Sequence, residues 1–136
     1  MKSMLVIPVI LLVLCSPAHA QPLIGMSKEQ VAGLIEKEHS VFRKDQSVSN
    51  QQFNYLKYVN SQRTKTWIMY FSGEDVCTGT KLVCDYSELD EMLDALDSRY
   101  RKTGRREWEY EQGTDTFRVT LTREEWYFTV REKKTE

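Results

Sequence analysis

The chain is short of the residue types on which most protein chemistry depends. Among 136 residues there are two histidines and three cysteines, and its six glycines never cluster. Scattered glycines provide no loop to cradle a phosphate. Beyond residue 20 the only histidine is His39, so a Ser-His-Asp or Cys-His mechanism would have to run through it. Its place near a helix end suits a cap or surface residue better. Two remaining cysteines and one histidine fall short of a four-ligand zinc site, and no C-x2-C pair occurs. A basic surplus is missing too. Without Lys2, 18 basic residues face 20 acidic ones, a formal charge of −2, whereas nucleic-acid binders neutralise phosphates with an excess of Lys and Arg. These absences lead to the expectation of a protein that is not an enzyme. It should have no catalytic residue, metal or cofactor, and no nucleic-acid partner.

The N-terminus has what the rest lacks, an apolar run. Lys2 precedes Met4–Leu14, interrupted only by Pro8, and Ala18-His19-Ala20 has the small-x-small pattern of a cleavage site. Residues 1–20 are read as a signal peptide and 21–136 as one α+β domain, since 116 residues suit one domain. The run is shorter than the roughly 20 residues a membrane helix needs, and no later stretch equals it, so no transmembrane segment is expected. Cleavage ahead of Cys15, giving a lipoprotein, is the alternative, but bulky Leu14 stands where such signals carry a small residue. A short signal and the lack of an Asn-x-Ser/Thr acceptor in the mature chain point to a bacterial periplasm or exterior.

Periodicity supplies the elements. Ser27 and Gln30 form a capping-box pattern with Met26 and Val31 as a staple, opening a helix that fades near His39. Residues 45–52 are polar and turn-like. Period-two runs then predict strands around Phe53–Val59, Trp67–Phe71 and Val76–Cys84, separated by turns at 60–63 and 72–75. Leu89, Met92, Leu93, Leu96 and Tyr100 share one helical face, with Asp85 or Ser87 to cap the start and Gly104 to end it. Trp108 and Tyr110, then Phe117–Leu121, then Trp126–Val130 mark three more strands, and 131–136 reads as a charged, frayed tail. The predicted fold class is α+β. Two amphipathic helices pack on one face of a largely antiparallel sheet, in the order α-β-β-β-α-β-β-β. All 15 aromatic residues lie in the mature part, enough for a core. An internal repeat is the alternative view of the two halves, with Val31 matching Leu89 and Trp67 matching Trp126.

The Gly-Met-Ser-x-x-x-Val run at 25–31, opening a short helix in an exported chain, resembles the opening of the SmpA/OmlA small envelope proteins. Those belong with the beta-lactamase-inhibitor-protein-like group, whose modules lay helices on an antiparallel sheet. The resemblance covers seven residues. It implies a protein-binding role and carries no site residue with it.

Cys77 and Cys84 are the remaining thiols. In an oxidising compartment they would pair by default. Yet seven steps along an extended strand separate them by about 23 Å, whereas a disulfide needs Cα atoms within about 7 Å. A turn at 78–80 would permit the bridge, but the continuous strand with unbridged thiols is preferred. The acids of the second helix (Glu88, Asp90, Glu91, Asp94, Asp97) read as a solvated face. Two features remain as a candidate binding surface. One is the strand tyrosines Tyr55, Tyr58, Tyr70, Tyr110 and Tyr127, too many to bury against two helices. The other is the basic run Arg99, Arg101, Lys102, Arg105 and Arg106, suited to an anionic lipid or acidic partner. Trp67 and Trp126 are assigned to the core. The expected function is that of an exported module binding an envelope or secreted protein. A carrier of a lipid, glycan or other small apolar ligand between helices and sheet is the alternative.

Overall fold

A computed structural model describes residues 22–45 and 53–135. The N-terminal stretch read above as a signal peptide and most of the polar stretch after Asp45 lie outside the described residues. The described chain folds as α+β with a single antiparallel sheet. Helix α1 (Lys28–Glu38) begins with the reciprocal box. The Gln30 backbone N–H donates to Ser27 Oγ at 3.2 Å and the Ser27 N–H to Gln30 Oε1 at 3.0 Å, which satisfies two amides that a helix start otherwise leaves bare. Four strands follow: β1 (Phe42–Lys44), β2 (Tyr55–Asn60), β3 (Lys65–Phe71) and β4 (Cys77–Cys84). A 3-10 turn at Tyr86–Glu88 leads into α2 (Leu89–Arg99). Then come β5 (Arg101–Gly104), β6 (Glu107–Gln112), β7 (Asp115–Arg123) and β8 (Phe128–Lys134).

The spatial order is β1-β2-β3-β4-β8-β7-β6-β5. Each half is thus a helix followed by a four-stranded meander, and the two meanders join through their last strands. The expected order is corrected by one strand in each half. The additions, β1 and β5, are the sheet's two edges. They have three and four residues, mostly polar and exposed, so neither shows the alternation that marks a half-buried strand. The repeat alignment is corrected as well. It set Trp67 on Trp126, matching β3 to β8, whereas the topology matches β2 with β6, β3 with β7 and β4 with β8.

Three boundaries also move. Helix α2 stops at Arg99, not Gly104, because Tyr100 turns extended (φ −124, ψ 158) and its ring stacks on Tyr110 at 4.8 Å. Neither Asp85 nor Ser87 caps α2. The Ser87 hydroxyl instead donates to Asp85 Oδ2 at 2.8 Å within the 3-10 turn. The tail does not fray at 131: Arg131–Lys134 complete β8, and Thr135 bonds the Thr116 carbonyl.

Turns are set by side chains. Asn60, buried at the end of β2, accepts from the Thr64 and Lys65 amides, both at 2.9 Å, and donates to Thr64 Oγ1. That arrangement lets Arg63 hold a left-handed φ of 58 in the β2–β3 turn.

Register defines two sheet faces. Cross-strand partners point the same way, so Leu56, Met69, Thr80, Glu132, Val119 and Trp108 form one row across six strands. This inner face carries the core in two clusters. Val31 and Ile35 of α1 join Leu23, Leu56, Tyr58, Met69, Phe71 and Cys77. Leu96 of α2 joins Trp108, Val119, Leu121, Phe128 and Val130.

Candidate functional site

Alternate residues of each strand reach the outer face, and their charges are zoned. On β6 stand Glu107, Glu109 and Glu111, one position apart from the core residues Trp108 and Tyr110. Arg118 of β7 serves two of these acids, with Nε 3.2 Å from Glu107 and Nη2 3.7 Å from Glu109. Arg101 of β5 meets Glu109 from the other side at 3.2 Å. Charges on this part of the sheet are therefore matched across strands.

The centre of the sheet is different. Lys81 of β4 lies directly opposite Arg131 of β8, and Lys133, two residues further along β8, is opposite Gly79. Among the described residues none of these three cations has an acidic partner. Like charges facing each other across a ladder oppose pairing. Ile68 is the neighbour of Lys81 on β3, and Tyr70 and Tyr55 continue the row of Gly79 and Lys133. The patch is thus cationic along β4–β8, bordered by Ile68, Tyr70 and Tyr55, with Lys57, paired to Asp45, beyond Ile68 on β2.

The structure separates the expected binding surface into several places. Of the tyrosines, Tyr55 and Tyr70 are on the outer face. Tyr58 is buried on the inner face, 1 % exposed, because even-numbered β2 residues point to the core. Tyr110 is also on the inner face, stacked between Tyr100 and Phe117. Tyr127 is exposed in the β7–β8 loop. The basic run is divided likewise. Arg99 ends α2, and Arg101 pairs with Glu109. Lys102 lies over the Trp108 ring and 3.9 Å from Asp97. Arg105 and Arg106 form the β5–β6 turn. An extended strand sends successive side chains to opposite faces, so a run that becomes β5 cannot present one basic surface.

Trp67 does pack against the N-terminal cluster, touched edge-on by His39 at 5.2 Å. Trp126 is corrected from core to surface, 78 % exposed. Arg123 pairs with Phe128, leaving 124–127 as a tight loop closed by the Glu124 N–H donating to the Tyr127 carbonyl. Cys77 and Cys84 are both free and buried at opposite ends of β4. Burial pushes the Cys77 thiol up to about 11 and the Cys84 thiol to about 12, away from the thiolate that nucleophilic chemistry requires. No group of His, Cys, Asp and Glu among the described residues is placed to hold a metal ion. No helix among them is long and apolar enough to cross a membrane.

The inner face holds the second feature, a cleft of about 250 Å³ bounded by α2 on one side and by Leu23, His39 and Phe42 on the other. Trp67, Leu82, Val119 and Val130 line its floor with Thr80 and Glu132, and Leu96 and Met92 line its α2 wall. Glu132 receives a hydrogen bond from the Tyr110 hydroxyl. Burial raises its pKa, partly offset by that bond. The sequence reading passed over Glu132, Lys81, Arg131 and Lys133. Lys81 and Arg131 are fifty positions apart and become neighbours only through the β4–β8 register. Comparison of the chain with family models, with characterised proteins and with solved structures returns no match.

Proposed function

We propose that the chain is an exported, non-enzymatic module that holds another polypeptide along the outer face of its sheet, gripping a segment with acidic residues at alternate positions. Both helices lie on the inner face in this reading, which leaves the outer one to a partner. The observation that carries it is the trio Lys81, Arg131 and Lys133, which have no acidic partner among the described residues. Elsewhere on the same face Arg118 and Arg101 are matched to acids, so the central repulsion stands out as a cost that a bound acid would relieve. Spacing fits an extended ligand. Arg131 and Lys133 are two steps apart on one strand, about 6.6 Å, the repeat of same-side residues in another strand.

A flat anionic surface fits less well. It would press against Glu107, Glu109 and Glu111 on the same face, whereas a segment one strand wide meets only the cations. A lipid carrier is disfavoured by size, because the inner cleft is smaller than the roughly 300–1,000 Å³ usual for ligand pockets. The resemblance of the 25–31 helix opening to exported binding proteins supports the same role and location.

The test uses a fluorescein-labelled peptide with glutamate at three alternate positions, titrated with the mature protein and read by anisotropy. Binding should weaken with salt, and a Lys81→Gln/Arg131→Gln/Lys133→Gln variant should bind at least about ten-fold more weakly. A Lys37→Gln control, on the exposed side of α1, should bind as wild type. Equal binding by the triple variant, or stronger binding to vesicles containing anionic lipid than to the peptide, would sink the reading.

A further inference from the structure

The inner cleft has a composition of its own. Its walls are mostly aliphatic and aromatic, with His39, Lys65 and Arg99 also lining it, and its floor carries one carboxyl, Glu132, next to Thr80 across the β4–β8 ladder. An ionised carboxylate removed from water needs a cation or several hydrogen bonds. Glu132 has neither in full. Among the described residues no Lys, Arg or His forms an ion pair with it, and its one side-chain partner is the Tyr110 hydroxyl. A carboxylate offers about four acceptor sites, so most of its capacity is unused.

The cations nearest the cleft do not fill this role. Arg99 and Lys65 both line the cleft, but Lys65 is engaged with Glu88 at 3.7 Å and Arg99 has no ion-pair partner among the described residues. The site is therefore an apolar slot with an acceptor at its base. Such a pairing of an apolar cavity with a single placed polar group is the usual form of a small-molecule site.

The geometry points to a second binding site in this cleft, for a small organic cation: a primary amine on an alkyl or aryl body of about six to ten non-hydrogen atoms, its ammonium on Glu132 and its body against Trp67, Leu82 and Val130. The ammonium supplies the counter-charge that the fold omits, and donates hydrogen bonds to Glu132 and Thr80 Oγ1. The body replaces water on apolar walls. The volume limits the ligand to this size and leaves no room for a long-chain lipid. The inference stands independently of the outer-face reading, because the residues involved are on the opposite side of the sheet.

Three probes of equal length separate the alternatives: n-hexylamine, n-hexanol and hexanoate, each titrated into the mature protein at neutral pH. Trp67 provides a fluorescence signal inside the cleft, and amide NMR shifts map the site. The expected result is amine binding at about millimolar Kd or tighter, with shifts centred on Trp67, Leu82, Val130 and Glu132. Hexanol and hexanoate should bind at least about ten-fold more weakly. Glu132→Gln, which keeps the shape and the Tyr110 hydrogen bond, should reduce amine binding to the hexanol level, and Ala95→Phe should block the cleft to all three probes. Lys37→Gln, on the exposed side of α1 and away from the cleft lining, should leave amine binding intact. Hexanoate binding as tightly as the amine, unchanged binding in Glu132→Gln, or no amine-dependent shift up to about 10 mM would overturn the assignment.

Discussion

The two halves of the molecule share a topology and hold their helices by different means. In the N-terminal half, α1 is fastened through its start. Gly25 N–H donates to the Cys77 carbonyl, Cys77 N–H to Met26 and Lys28 N–H to Asp75, so backbone bonds tie the helix entry to the β3–β4 hairpin. Its N-cap is complete, and Val31 and Ile35 are fully buried. In the C-terminal half, α2 has no side-chain cap and only Leu96 fully in the core. There the large side chains compensate. Trp108, with no exposed surface, donates from Nε1 to Asp97 Oδ1 of α2 at 2.9 Å, and Tyr100, Tyr110 and Phe117 stack beside it. One helix is held by its backbone and the other by aromatic packing. A topology therefore specifies where a helix goes without specifying which interactions keep it there.

The largest test is Trp108→Ala. Emptying that site and breaking its hydrogen bond to Asp97 should cost about 3–5 kcal/mol in denaturant unfolding. If the halves are held separately, hydrogen exchange in this variant will rise in β5–β7 while β1–β3 stay protected; uniform loss would show that the continuous sheet makes them one cooperative unit. Trp126→Ala, at the surface, should change stability by less than about 0.5 kcal/mol.

Tyr58 and Tyr110 occupy matching places in β2 and β6, two residues beyond Leu56 and Trp108. The Tyr110 hydroxyl donates to Glu132, whereas the Tyr58 hydroxyl is buried with no partner among the described residues. Removing one hydroxyl breaks a bond to a buried carboxyl, and removing the other relieves an unmet desolvation cost. Tyr110→Phe should lose about 1–3 kcal/mol, while Tyr58→Phe should be neutral or stabilising. Equal losses would show that the two halves are chemically alike after all.

Capping gives a smaller contrast. Ser27→Ala should cost about 1 kcal/mol, but Ser87→Ala, which caps no helix, less than about 0.5 kcal/mol. Finally, Glu132 makes the core sensitive to pH. Its folded pKa is raised by burial above the ordinary 4.5, so the folded state holds the proton more tightly than the unfolded one. Its contribution to stability is complete below pH 4.5 and declines as pH rises through the folded value. Glu132→Gln should flatten that part of the stability–pH curve. The thiols add a second decline of the same sign, beginning above their ordinary value of 9 and extending through about 11 and 12.

Residues with a local signature were legible. The Ser27–Gln30 box, the alternation in β2, β3 and β7, and the apolar face of α2 each arise from neighbours in sequence, so period and capping chemistry suffice to locate them. Edge strands β1 and β5 were not legible, since a short polar strand has no periodicity and forms because an adjacent strand offers it hydrogen bonds. The tyrosines show the same limit at the level of the site. Their count implied that some must be exposed, but which ones depended on strand phase, and a one-residue change of phase moves a side chain from solvent to core.

From the sequence alone came the α+β class and the approximate position of most elements, because composition and local periodicity are properties of the chain itself. Tertiary structure decided the rest. Setting β4 against β8 brought Lys81 to Arg131 on one face and Thr80 to Glu132 on the other, creating both the cationic patch and the polar floor of the cleft. Strand register is fixed by the packing of distant residues on a shared core, and no local pattern in either strand encodes its neighbour.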